Sequence, residues 1–191
     1  PARTDPPRPF TLDETQHERF LPLARSFWSP ENEAYCECLA RIAGREEIEV
    51  EPALGSPRVF GYRNKMEFSF SDRRWLLPEE LSREDIPKGF ALGLHVPGTF
   101  DKVLDIEVCL LLPETGSQIL SDVRQYAKDS SIPPYGLKSH RGFWRFLMLR
   151  HAADPDDWMV NIVTSEDRPD DVQPLADMLI HKFKAIKSVI N

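Results

Sequence analysis

Residues 61–70 read GYRNKMEFSF, and their alternation decides the fold class. In an extended chain successive side chains point to opposite faces. Tyr62, Asn64, Met66, Phe68 and Phe70 therefore share one side, and Arg63, Lys65, Glu67 and Ser69 share the other. The first side is apolar enough to be buried. The second carries two cations, with Glu67 next in line as a partner. One reading is a solvated strand face with an exposed ion pair, which adds little stability. The other is a strand whose cations meet phosphate, and the rest of the chain has to decide between them.

Downstream, GFALGLHV predicts a strand over 89–96, with Phe90, Leu92, Leu94 and Val96 on one face and the small Ala91 and Gly93 on the other. KVLDIEVC predicts a short strand ending at Cys109, and the segment 73–89 reads as a polar connection with two prolines. FWRFLMLRH (143–151) and WMVNIVT (158–164), joined by a turn rich in Asp and Pro, predict an antiparallel hairpin. Helical spacing of Ile119, Leu120, Val123, Tyr126 and Ala127 marks a helix within 113–130, and Val172, Leu175, Met178, Leu179 and Phe183 mark another from Asp170 to Lys184. IKSVIN then begins a strand. Upstream of the opening strand, Ser29 and Pro30 suit the start of a helix whose stripe is Tyr35, Cys38, Leu39 and Ile42 and which Gly44 stops. EIEVEP suggests a strand near 47–51, and the Pro-rich start reads as an irregular arm. Strands and helices in this order predict an α+β fold, an antiparallel sheet with a few flanking helices.

The 191 residues are 41% hydrophobic and 29% charged, the composition of a globular protein, and no run is apolar and long enough to span a membrane as a helix. The start lacks the apolar core of a secretory signal, and three cysteines suit a reducing compartment, so a cytoplasmic location is expected. The net charge of −7 argues against a polyanionic partner, but its distribution argues for one. Between Ser130 and Ala153 there is no acidic residue, while Lys138, Arg141, Arg145 and Arg150 make that window +4. Residues 58–75 hold five Lys or Arg against Glu67 and Asp72. Local field, rather than the total, governs nucleic-acid docking.

Catalytic motifs are missing: the chain has no phosphate loop, no GxSxG and no HExxH. Cys36 and Cys38, two apart on a helix, point to opposite sides and cannot close on one ion, so Cys38 is assigned to the core stripe. His95 at a strand end could act as a base, but no partner is evident in the sequence. Tyr62, Phe143, Trp144 and Phe146, interleaved with Arg63, Lys65, Arg145 and Arg150, suit RNA, since cations read phosphates and rings stack on unpaired bases. Alternation alone, however, gives Trp144, Phe146 and Met148 one face and assigns them to the core, with Arg145 opposite Arg150.

GSPRVFGYRNKMEFSF, LGLHVPGTFDKVLDIEVCLLLP, ILSDVRQYAK, IPPYGLKSHRGFWRFLMLR and WMVNIVT, in this order, resemble the central region of the RNA (uracil-5-)-methyltransferase family, its 23S ribosomal RNA branch in particular. The resemblance covers residues 39 to 191. It implies a central RNA-recognition domain over 29–184 after an arm at 1–28, with 185–191 beginning a truncated C-terminal domain that binds S-adenosylmethionine and carries the nucleophilic cysteine. This chain alone is then expected to be inactive, with the catalytic domain its partner in cis. Arg63 and Lys65 match the family's YRNK strand, and Lys138, His140 and Arg141 its basic loop, so the resemblance implies RNA contacts by these five. Cys109 matches the fourth ligand of a [4Fe-4S] cluster found in this branch. The upstream CxxxxxCxxC run that supplies the other three is missing, so no intact cluster is expected in this chain. The competing reading is a non-enzymatic module whose basic face docks a partner domain rather than RNA. A third, a metal or redox protein built on the cysteines, has the least support.

Overall fold

The computed structural model describes Glu37, Cys38, Ala40, Arg41, Ile42, Gly44 and residues 57–191. The chain divides into two compact units, 1–57 and 58–191. In the first, the described residues 37, 38 and 40–42 are helical, consistent with part of the expected helix, and Arg41 Nη1 lies 3.9 Å from Glu37 Oε1 one turn away. Cys38 and Ile42 do not lie in a core stripe. Both are exposed, Ile42 at 85%. Helical spacing names the side of a helix that is apolar; it does not supply a surface to cover it. The arm at 1–28 and the strand near 47–51 lie outside the described residues.

The second unit is a seven-stranded mixed sheet with two α-helices, an α+β fold. Its elements are β1 (Lys65–Ser71), β2 (Arg74–Trp75), a 3-10 turn (Pro78–Glu80), β3 (Ala91–His95), β4 (Val103–Asp105), α1 (Glu114–Asp129), β5 (Trp144–Ala152), β6 (Asp157–Thr164), α2 (Pro169–Lys182) and β7 (Ile186–Ile190). The spatial order is β2-β4-β3-β1-β5-β6-β7. The five central strands pair antiparallel, and only the outer pairs, β2 with β4 and β6 with β7, are parallel. Parallel strands need a crossover, and α2 supplies it between β6 and β7. The segment expected to open a further domain, 185–191, thus contributes a strand to this same sheet.

The alternation of β1 holds from Lys65 to Phe68, with Met66 and Phe68 buried and Lys65 and Glu67 exposed; beyond it Ser69, Phe70 and Ser71 are all buried. Tyr62, given to the buried side, precedes the strand and is 52% exposed, because the chain there bonds through Gly61 and Arg63 N–H to Leu110 and Leu111 carbonyls instead of to a sheet neighbour. Within 73–89, read as connection, the two residues of β2 form an edge strand, and the strand expected to run to Cys109 ends at Asp105.

Met66, Phe68 and Phe70 of β1, Trp144, Leu147 and Leu149 of β5, and Trp158, Val160 and Ile162 of β6 form one core with Ile119, Leu120 and Val123 of α1 and Val172, Leu175 and Leu179 of α2. Apolar burial of this kind is the main favourable term in folding. Both helices therefore cover the same face of the sheet. Across β1, β5 and β6 the opposite face carries Lys65, Glu67, Phe146, Met148, Arg150, Met159, Asn161 and Val163, all exposed or half-buried, together with the buried Ser69.

A register shift between Trp144 and Phe146 corrects the assignment of β5. Strict alternation gives Trp144, Phe146 and Met148 one face. The shift instead sends Trp144 into the core with Leu147 and Leu149, and turns Phe146 and Met148 to the open side beside Arg150. An extra residue in one strand inverts the side-chain order beyond it, which no local pattern displays.

Candidate nucleic-acid interface

The five cations expected to meet RNA fall into two groups. Arg63 and Lys65 stand at the start of β1, where Lys65 is paired directly opposite Arg150 of β5. Lys138, His140 and Arg141 occupy the loop before β5, at the other end of the same strand pair. β1 has seven residues, so the groups are separated by about 20 Å along it.

At the first end, Arg63, Lys65, Glu67 and Arg150 are all exposed. Among the described residues no carboxylate lies within ion-pair distance of Arg63, Lys65 or Arg150, and Glu67 is not the partner its position suggested. Arg63 Nη1 donates to Met66 Sδ, at 3.6 Å. Like charges directly opposite across a strand pair are unfavourable. Arg150, which the sequence separated from Arg145 by face, is the residue that joins Lys65 here. On the same face Ser69 Oγ lies 2.9 Å from His95 Nε2.

At the second end the loop is fastened from several sides. Tyr135 N–H donates to Trp144 O (2.8 Å), Phe143 N–H to Pro133 O (2.8 Å), Gly136 N–H to Arg141 O (2.7 Å) and His140 N–H to Gly136 O (2.8 Å). Ser165 Oγ donates to Gly142 O at 2.7 Å, tying the loop to the end of β6. Gly142 has φ +113°, and a Cβ there would collide with the Pro134 carbonyl oxygen, so both conformation and space require glycine. Lys138 is not a free cation. Its Nζ lies 2.5 Å from Asp101 Oδ2, and this hydrogen bond holds the Asp101 carboxyl below the usual carboxylate range. Arg141 and His140 are exposed, with Tyr135 Oη 3.3 Å from His140 Nδ1.

Cys109 is buried at 5% exposure, its N–H donating to Ser117 Oγ (3.1 Å) and its carbonyl accepting from that hydroxyl (3.3 Å). A four-thiolate cluster needs four cysteines, and the chain has three. Among the described residues no group of three His, Cys, Asp or Glu side chains is placed to hold a metal. The residues present do not fit the cluster.

Sequence reasoning missed Asp105 and Arg124. Arg124 is buried within the apolar stripe of α1 and pairs with Asp105 Oδ1. Its Nη2 donates to the Leu92 carbonyl (3.1 Å) and to the Ile106 carbonyl. Asp105 Oδ1 also accepts Leu92 N–H at 2.9 Å, and Oδ2 is 3.9 Å from Arg74 Nη1. The second aspartate of the DKVLDI run, Asp105, thus fastens β3 and β4 to α1. A visible signal existed, since Arg124 falls four residues after Leu120 and three before Ala127, a cation at an apolar helical position.

No family model matches the chain. It is 44% identical over 131 residues to an uncharacterized RNA methyltransferase of Chlorobaculum tepidum, covering 68% of this chain and 27% of that protein. It is 36% identical over 160 residues to one of Porphyromonas gingivalis, covering 81% and 34%. To the tRNA (uracil(54)-C(5))-methyltransferase of Pyrococcus furiosus it is 28% identical over 130 residues, covering 68% and 26%. The chain therefore spans about a third or less of the length of these relatives. The crystal structure of Pyrococcus abyssi tRNA (uracil-54, C5)-methyltransferase in complex with S-adenosyl-L-homocysteine superposes with a TM-score of 0.55 at 23% identity, over 86% of this chain and 34% of that one. By sequence the chain is similar to a segment of proteins named as RNA methyltransferases, and by structure it shares the fold of part of one.

Proposed function

We propose that this chain is the RNA-substrate-recognition region of an S-adenosylmethionine-dependent RNA (uracil-5-)-methyltransferase, whose cofactor site and nucleophile belong to another part of the polypeptide. The similarity to a third of several RNA methyltransferases supports this division of labour. Assignment to the 23S ribosomal RNA branch rests on the order of the sequence motifs, and a cytoplasmic location goes with that substrate. The single observation that carries the reading is the Lys65–Arg150 pair: two exposed like charges, directly opposite each other on a sheet face without helices, with no carboxylate among the described residues to offset them. A polyanion backbone offsets them. Arg63, also expected to contact RNA, stands exposed just before β1, but its guanidinium meets Met66 Sδ, a side chain of the helix-covered face, so it is not counted with the pair.

The test is RNA affinity as a function of salt, for the wild type and for Lys65→Ala and Arg150→Ala. Removing one phosphate interaction reduces the slope of log K against log salt by about 0.7 for a single strand or 0.9 for a duplex. Equal affinity and slope in the double variant would remove the assigned role of this face. The alternative, a module that docks a partner domain, is favoured by Phe146, Met148, Met159 and Val163, half-buried on the same face, and by Ile190, 44% exposed. It predicts no RNA binding at low salt, together with self-association through the apolar surface.

A further inference from the structure

The loop before β5 and the end of β6 enclose a concavity of about 390 Å³, lined by Tyr135, His140, Arg141, Arg145, Ser165 and Glu166 together with Gly142. We propose that this concavity takes one unpaired nucleobase of the RNA, with the adjoining phosphate at its rim. The proposal rests on the RNA-binding reading above and goes beyond it, because it assigns base recognition to residues that the phosphate-contacting role does not include.

Three observations converge. The first is flat surface. The Arg145 guanidinium carbon lies 4.7 Å from the centre of the Tyr135 ring and 5.5 Å from that of Phe146, and His140 packs edge-on to Tyr135 at 6.4 Å. Unpaired bases stack on such rings and on guanidinium planes. The second is unused hydrogen-bonding capacity: the Arg145 guanidinium, half-buried in the lining, makes ring contacts but no hydrogen bond or ion pair to a described residue. The third is the mixed sign of the lining. Glu166 stands in the same concavity as Arg141 and Arg145. A phosphate placed inside would face that carboxylate, whereas a base presents N–H donors to Glu166 and carbonyl or ring-nitrogen acceptors to Arg145. Phosphate is better placed at the exposed Arg141 and His140.

The walls are set before any ligand arrives. The backbone bonds of residues 133–143, the Ser165–Gly142 bond, the constrained Gly142 and the Lys138–Asp101 pair all hold the loop in place. Preorganisation of this kind spares a ligand the entropy of ordering its site.

The experiment uses the full 191-residue chain and a fluorescein-labelled single-stranded oligouridylate, read by anisotropy over a salt series, with the same strand annealed to its complement as a control. Tyr135→Ala is expected to weaken single-strand binding by about 5- to 100-fold with an unchanged salt slope, since the change removes a stacked base and no phosphate. Tyr135→Phe is expected to bind as the wild type does. Arg145→Lys, which keeps the charge and removes the plane, is expected to lose affinity and serves if Tyr135→Ala fails to fold. Arg141→Ala is expected to lower the slope. Unchanged affinity in folded Tyr135→Ala or Arg145→Lys overturns the proposal, as does duplex binding equal to single-strand binding. If those variants bind normally while Lys65→Ala and Arg150→Ala weaken binding, the base site fails and the RNA reading stands. If the wild type binds no RNA at low salt, both fall.

Discussion

Replacing Asp105 tests whether a residue in the most distinctive motif of the chain serves the fold or the chemistry. Its carboxylate is 9% exposed and the paired Arg124 side chain 8%. Asp105→Ala removes the acceptor for Arg124 Nη1 and for Leu92 N–H, and leaves a buried guanidinium without its counter-charge. Breaking one side of a buried pair costs about 3–5 kcal/mol. Arg124 Nη2 keeps the Leu92 and Ile106 carbonyls as acceptors, which argues for the lower end, about 3 kcal/mol. For a chain of this size each kcal/mol moves the melting temperature by roughly 2–4 °C, so a loss of about 9 °C is expected. Arg124→Met should cost a similar amount. The double variant Asp105→Asn with Arg124→Met should be more stable than Asp105→Ala, because no charge is left unpaired. Thermal unfolding followed by circular dichroism measures all three, and RNA anisotropy well below each melting point separates stability from binding. A melting temperature for Asp105→Ala within experimental error of the wild type would refute the reasoning. So would loss of RNA binding in a variant that remains as stable.

The register shift in β5 predicts unequal costs for neighbouring truncations: Leu147→Ala, fully buried, should cost about 2–5 kcal/mol in urea unfolding, and Phe146→Ala, on the open face, clearly less. Gly93→Ala should destabilise strongly, because the added methyl meets the Leu104 carbonyl oxygen across β3 and β4, and a wild-type urea midpoint would contradict the pairing. In carboxyl NMR, Asp101 should titrate below the usual range and return to it in Lys138→Ala. Because the folded-state value is the lower one, any stability from this pair is present at neutral pH and lost as pH falls through that value; an unmoved Asp101 titration in the variant would dissociate the two groups.

Much of this protein was legible from local pattern. The alternation of MEFSF placed β1, the runs WRFLML and WMVNIV placed the hairpin, and the helical spacing of Ile119, Leu120 and Val123 and of Val172, Leu175 and Leu179 placed both helices. These patterns are local because side-chain direction repeats every two residues in a strand and every 3.6 in a helix. The basic character of the open strand face was legible for the same reason at Lys65, whereas the apolar side assigned to Tyr62 was not kept, since Tyr62 precedes the strand and is exposed.

What the sequence could not supply was anything set by a partner far along the chain. One extra residue at Trp144–Phe146 turned Phe146 and Met148 outward and brought Arg150 beside Lys65, a pairing that spans 85 positions and depends on register. The five expected RNA-contacting residues divided into two groups because β1 holds its ends apart. Lys138 found Asp101, and Arg124 found Asp105, only once β3 and β4 lay against the loop and the helix. Periodicity determines which side of an element is apolar. Which charge is paired, and which is left facing solvent, is decided by the packing of elements distant in sequence, where the low-dielectric interior makes each unpaired group costly.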